Sequence, residues 1–279
     1  QAEVISTRTK IALVNALSES GVQHIEVSAF VHPEWVPQLA DADEVFDGIT
    51  RVSGVTYSAL VPNEQGWSRA EKANVGEVAV ITAASETFSK KNTNTSIQGS
   101  IERLEPIVQH ATSKGIRVKG YISCTIACPY EERTDLQVVR NIAEQLLDLG
   151  VSTISLGETM GIAIPTDIRK LYDALDGVLT PEASILHLHN THGRALECVH
   201  EAMQCGVFQF DSSCGGLGGC PYAPGAAGNL ATEDLVMFAS QLGIETGIDF
   251  ESLVAASQFI ESELACKLPS AAYRKSQDA

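Results

Sequence analysis

Two histidines, His187 and His189, flank Leu188 near the end of the apolar run ILHLHNTHG. Side chains two residues apart on a β-strand point to the same face, so both imidazoles look one way with Leu188 behind them. At the C-terminal end of a barrel strand such a pair is placed to bind a divalent metal. Two histidines that merely line a barrel mouth are the plainer alternative. His192 follows in the adjoining loop and is secondary.

A second stretch, GGLGGCPYAPGAAGN at Gly215–Asn229, puts Cys220 among six glycines and two prolines. Neither a helix nor a strand is expected there, and the segment matches no phosphate-binding glycine pattern. A thiol on such a loop near a cation would have a lowered pKa and serve as an acid or nucleophile. Asn229 closes the loop. Its amide oxygen could complete a two-histidine metal site, or its side chain could cap the next helix.

Carboxylates give a third signal. Glu26 lies inside the strand-like HIEVSAF, and Glu158 ends STISLGE. A charge inside an apolar strand is costly unless it is paired or functional, so each is a candidate catalytic group, with a structural ion pair as the alternative. Lys90, Lys91 and Asn92 form a local basic patch, read as a loop after the strand at Glu77–Ala84. They could hold a phosphate-bearing or carboxylate group of a substrate or cofactor, or simply be solvated.

These groups need elements to position them. Short β-branched runs alternate with helical periodicity along the whole chain. Strands are expected at His24–Phe30, Val55–Val61, Glu77–Ala84, Ile116–Cys124, Ser152–Glu158, Ile185–Asn190 and Phe208–Ser213. Helices are expected near 7–20, 36–49, 65–74, 98–114, 134–149, 165–177, 195–205, 231–242 and 250–265, with Ser100 as a cap and Gly150 as a stop. Strict alternation implies an α/β fold with a parallel sheet and right-handed crossovers. Its 279 residues suit a single domain over 1–279 with the architecture of a (β/α)8 TIM barrel. Seven strands are found, and the eighth, which would be the first of the barrel, is expected upstream of Gln1.

Composition narrows the partners. A formal net charge of −16 disfavours nucleic acid and anionic membranes. No apolar run approaches the roughly 20 residues of a membrane span. Seven cysteines, an odd number without a CxxC pair, point to thiols in a reduced, soluble compartment rather than to a disulfide framework.

Taken together, Ala29–Asp41 (AFVHPEWVPQLAD), GYISCTIACPYE, SLGETMG, HLHNTHG and GGLGGCPYAPGAAGNLATEDL resemble the 3-hydroxy-3-methylglutaryl-CoA lyases, in order and over the whole chain. The cysteine-bearing glycine loop is specific to that branch, whereas the HxH strand is shared with wider metal-dependent barrel lyases and aldolases. The resemblance implies a TIM barrel with Mg2+ or Mn2+ at the C-terminal face, held by His187, His189 and Asn229. It implies Cys220 as the catalytic loop cysteine, Glu26 and Glu233 as acidic residues of the active site, and His187 or a strand-end carboxylate as the base that takes the C3 hydroxyl proton. Glu158 stands where those lyases carry Asp. The family's first strand ends in an Arg-Asp-Gly-Leu-Gln motif that supplies a further ligand and a cation, and this chain begins at what looks like its Gln. The implied activity is cleavage of 3-hydroxy-3-methylglutaryl-CoA to acetyl-CoA and acetoacetate, with CoA as part of the substrate, in a homodimer of the bacterial cytoplasm or mitochondrial matrix. A related lyase for another acyl-CoA or 2-oxoacid, and a silent acyl-CoA-binding barrel, remain alternatives.

Overall fold

A computed structural model describes residues 4–218 and 228–278. Seven strands occur: β1 (His24–Ala29), β2 (Thr56–Leu60), β3 (Glu77–Ala83), β4 (Arg117–Ser123), β5 (Thr153–Glu158), β6 (Ser184–Leu188) and β7 (Phe210–Asp211). They follow one another across the sheet in chain order. The β1–β2, β4–β5, β5–β6 and β6–β7 pairings are parallel, as helical crossovers require. The fold is therefore the expected α/β arrangement. β7 is two residues long instead of six, and Phe208, expected inside it, is exposed.

By contact density the chain divides into two compact units. The first comprises Gln1–Val78, Ser213–Leu217 and Ala231–Ala279; the second comprises Ala79–Ser212 and Gly218–Leu230.

In the first unit, α1 (Thr7–Glu19) and α10 (Phe250–Leu264) pack together. Cys214, Ala256, Ile260, Leu268 and Tyr273 form a buried cluster flanked by Leu13 and Leu17. The expected helix over 36–49 is instead a 3-10 turn at Pro37–Leu39, with Pro37 at its first position where no N–H is needed, followed by a separate α2 (Ala42–Gly48). α3 (Glu64–Lys72) and α9 (Thr232–Gln241) lie near their expected places. α11 (Ala271–Gln277), capped by Ser270, was not expected.

In the second unit, α5 (Ile97–Ser113), α6 (Leu136–Leu149), α7 (Pro165–Leu175) and α8 (Ala195–Gln204) follow their strands. α6 buries Val139, Ile142, Ala143 and Leu146 on one stripe and stops at Gly150, whose φ of 103° only glycine adopts cheaply. α5 is capped one turn earlier than expected. Ser96 accepts the Gly99 N–H, while Ser100 is buried inside the helix against Thr82 Oγ1 at 2.6 Å. The segment with Lys90, Lys91 and Asn92 is helix α4 (Glu86–Thr93), capped by Ser85, rather than a loop. Among the described residues no helix is long and apolar enough to cross a membrane.

Candidate active site

β5, β6 and β7 set the stage in the second unit. The parallel register aligns Gly157 with His187, and His187 with Asp211. Partners in register share a face of the sheet, so His187 and Asp211 point the same way, with Gly157 on the other side of His187. His189 lies just past β6 and forms an antiparallel bridge with Asn229. Bridged residues also share a face, which brings the Asn229 amide to the side of the two imidazoles. A side chain at Gly218 would meet Asn229 Nδ2 at 2.6 Å, so that glycine gives the amide its space. The two imidazole centroids are 5.3 Å apart with the rings inclined by 60°.

The rings are held differently. His189 is buried, and its Nδ1 is 2.9 Å from the Glu158 main-chain carbonyl. A carbonyl only accepts, so Nδ1 carries the proton and Nε2 keeps a lone pair. Burial lowers the pKa of His189 against the pull of that carbonyl, and neighbouring His187 lowers it further, so the ring is kept neutral. His187 is more open, with 28% of its side chain exposed, and its Nδ1 lies 3.4 Å from Asp211 Oδ2. Tyr121 meets the His187 ring edge-on at 6.2 Å.

Asp211 is surrounded. Its Oδ2 accepts from Ser155 Oγ at 2.6 Å, and its Oδ1 is 3.6 Å from Lys119 Nζ. Burial would raise its pKa. Facing His187, the Lys119 charge and the Ser155 hydroxyl outweigh that and hold the carboxyl well below the usual carboxylate range. Lys119 has only 3% of its side chain exposed and lies 4.7 Å over the Tyr121 ring.

Among the described residues, no three His, Cys, Asp or Glu side chains gather into a metal-binding group. The donors here are two imidazoles and one amide. They fit a divalent cation as part of its shell, because His189 is fixed through its other nitrogen as metal-bound histidines are.

Residues 1–260 match the family model described as HMGL-like. The chain belongs to the HMGL-like family. The hydroxymethylglutaryl-CoA lyase of Pseudomonas mevalonii is 44% identical over 260 residues, 93% of this chain and 86% of that protein. The crystal structure of hydroxymethylglutaryl-CoA lyase from Pseudomonas aeruginosa superposes with a TM-score of 0.97 at 42% identity, covering 100% of this chain and 93% of that one. A lyase structure from Acinetobacter baumannii, solved with coenzyme A and 3-methylmalate, gives 0.94 at 36% identity over 98% of this chain and 90% of that one. The barrel architecture expected from the strand–helix alternation is that of this family.

Among the described residues, the other expected site residues sit on separate elements, each within its own unit. Glu158 is aligned with Leu188, on the face opposite His187. Its buried carboxyl turns to its own loop and accepts the Ile162 N–H at 3.2 Å. Burial raises its pKa against those main-chain donors. Its main chain, not its side chain, reaches the histidines. Lys90 and Lys91 are exposed on α4, where Lys91 Nζ stacks 4.1 Å from the Tyr130 ring. Cys220 lies outside the described residues. In the first unit, Glu26 is exposed on β1 opposite Ser58. Glu233 is fully buried and accepts the Gly215 N–H on both oxygens, at 3.0 and 2.9 Å, and the Ser257 hydroxyl on Oε1. Lys119 and Asp211 were missed by the sequence reading. The signal that marked Glu26 and Glu158, a charge inside a strand, is present in both IRVKGYISC and FQFDSS.

Proposed function

We propose that the chain cleaves 3-hydroxy-3-methylglutaryl-CoA to acetyl-CoA and acetoacetate with a divalent cation, Mg2+ or Mn2+, at His187, His189 and Asn229. The observation that carries this reading is the His187–His189–Asn229 convergence in a chain 44% identical to a named lyase of that substrate. When bound, the cation would acidify the C3 hydroxyl and offset the charge of a neighbouring carboxylate. A strand-end carboxylate, with His187 given to the cation, would take the hydroxyl proton as the C2–C3 bond breaks. C3 becomes the ketone of acetoacetate, and the electron pair stays on C2 as the acetyl-CoA enolate, which then takes a proton.

The chain's own residues have separate tasks in this scheme. His189 presents one neutral nitrogen from a ring that cannot turn without losing the Glu158 carbonyl. His187 has one nitrogen left when Nδ1 faces Asp211, and a single lone pair cannot both ligate and take a proton. It is therefore assigned to the cation rather than to the hydroxyl proton. Cys220, by its resemblance to the loop cysteine of these lyases, is assigned the proton delivered to the enolate. Mixing the full chain with the acyl-CoA, with and without chelator, and following acetoacetate tests the scheme. Chelator-sensitive cleavage, with Cys220→Ala down at least about a hundredfold, is expected. No cleavage, or Cys220→Ala at near-normal turnover, refutes the reaction or the acid assignment respectively. Preferential cleavage of a longer 3-hydroxyglutaryl-CoA would shift the substrate within the same chemistry.

A further inference from the structure

The Lys119–Asp211–Ser155 cluster has no task in the scheme above, yet it is an expensive thing to build. Lys119 has only 3% of its side chain exposed, in the middle of β4. A buried cation costs several kcal/mol before its partner is counted, and an apolar pair of equal volume is often as stable. Stability alone is therefore weak grounds for the pair, and its surroundings suggest another.

Four adjacent strands contribute. Tyr121 on β4 aligns with Ser155 on β5, Gly157 on β5 with His187 on β6, and His187 with Asp211 on β7. All lie on one face of the sheet. Asp211 Oδ2 is fixed by the Ser155 hydroxyl at 2.6 Å, and its Oδ1 faces Lys119 Nζ at 3.6 Å. What remains of Oδ2 faces His187 Nδ1 at 3.4 Å, slightly beyond a good hydrogen bond. His187 Nδ1 is buried without a bonded partner, and Asp211 is the acceptor in front of it. His189 gets the same service from a main-chain carbonyl.

We propose that Asp211, held by Lys119 and Ser155, is the positioning residue of His187, fixing its proton on Nδ1 and turning Nε2 to the reacting centre. Lys119 acts one step further out. Its ammonium, 3.6 Å from Oδ1 and held over the Tyr121 ring, keeps Oδ1 engaged, so that Oδ2 stays with the imidazole. A cation at Nε2 would make Nδ1–H a stronger donor toward Asp211. The inference rests on the metal assignment of the proposed function only for the identity of what Nε2 meets.

Nitrogen chemical shifts of His187 in the full chain, labelled with 15N histidine, read the tautomer directly and need no variant. Protonated Nδ1 with bare Nε2 is expected, and the reverse tautomer overturns the inference whether or not the chain binds a metal or cleaves the acyl-CoA. Mn2+ titration followed by electron paramagnetic resonance gives the second readout. Asp211→Asn is expected to weaken Mn2+ binding about 10- to 100-fold. In the same variant kcat should fall at least about tenfold while KM for the acyl-CoA changes little. Lys119→Met should act in the same direction, and Lys119→Arg should recover most of the loss. A folded Asp211→Asn with unchanged Mn2+ affinity, or a Lys119→Arg as damaged as Lys119→Met, overturns the roles assigned. Ser155→Ala, which removes only one hydroxyl, serves if Asp211→Asn does not fold. Wild-type chain that takes up no Mn2+ sinks the metal assignment and leaves the tautomer to decide this one.

Discussion

Replacing Glu233 by Gln removes a buried carboxyl with almost no change of outline, and it tests whether burial or hydrogen bonding sets the charge there. The Gly215 N–H reaches both carboxylate oxygens, so one amide oxygen can still accept it. The new NH2 then lies toward Ser257, whose hydroxyl can turn to Cys214 Sγ at 3.1 Å. The loss in hydrogen bonding is therefore small, about 1 kcal/mol. The charge matters more. Burial raises the Glu233 pKa above its ordinary 4.5 against the Ser257 and Gly215 bonds. The folded chain thus holds a proton that the unfolded chain has already released, over the interval between 4.5 and the raised value. Stability from this group is present below 4.5 and falls as pH climbs through that interval, by about 1.4 kcal/mol for each unit of the rise. Glu233→Gln has no such slope. Urea unfolding of both proteins, followed by tryptophan fluorescence from about pH 5 to about pH 8, should show the wild type ahead at the acid end and losing its lead as pH rises. A constant difference, or a lead that grows with pH, would mean that Gly215 and Ser257 keep the carboxylate ionised, and the burial argument would fail.

Other outcomes follow from single contacts. Gly215→Ala should cost about 2 kcal/mol in urea unfolding, because φ is 63° and a Cβ would press on the Leu268 side chain, with Cγ at 3.0 Å. Gly218→Ala should weaken Mn2+ uptake more than it lowers stability, since its Cβ would displace the Asn229 amide, now 2.6 Å from that position. Iodoacetamide on the native chain, read by peptide mass spectrometry, should modify exposed Cys266 and spare Cys198 and Cys214. Burial pushes both of those thiols up to about 12. Asp135→Ala should lower stability by about 1 kcal/mol through loss of the α6 cap to the Gln137 N–H.

What could be read from the chain was what repeats locally. β5 alternates Ile154 and Leu156 with small or polar residues, a local strand pattern, and the two-residue period of His187 and His189 places both rings on one face. α4 was misread because ETFSKKNT has one buried apolar anchor, Phe88, and its helix depends on the Ser85 cap and tertiary contact. Ser100 looked like a cap because it precedes an apolar stripe, but the earlier Ser96 takes the role and leaves Ser100 to bond Thr82 across the core. Glu158 shows the limit of the strand argument. Its type was informative, but its face depends on the phase of β5, which only the alignment with Leu188 fixes. Lys119 and Asp211 are 92 positions apart and meet only through the order of β4 to β7, so no local pattern could pair them.

The anchoring of His189 has a consequence for how such a site can change. Its partner is a peptide oxygen, supplied by every amino acid alike, so substitution at position 158 cannot delete it. The carboxyl of Glu158 is thereby released from the histidine and spent instead on the turn at Ile162. One ring is inherited with the strand itself, while the other depends on an aspartate, a serine and a lysine that must all be retained. Drift in the sequence should therefore reach the two histidines unequally, and it is at His187 that a weakened site would first show.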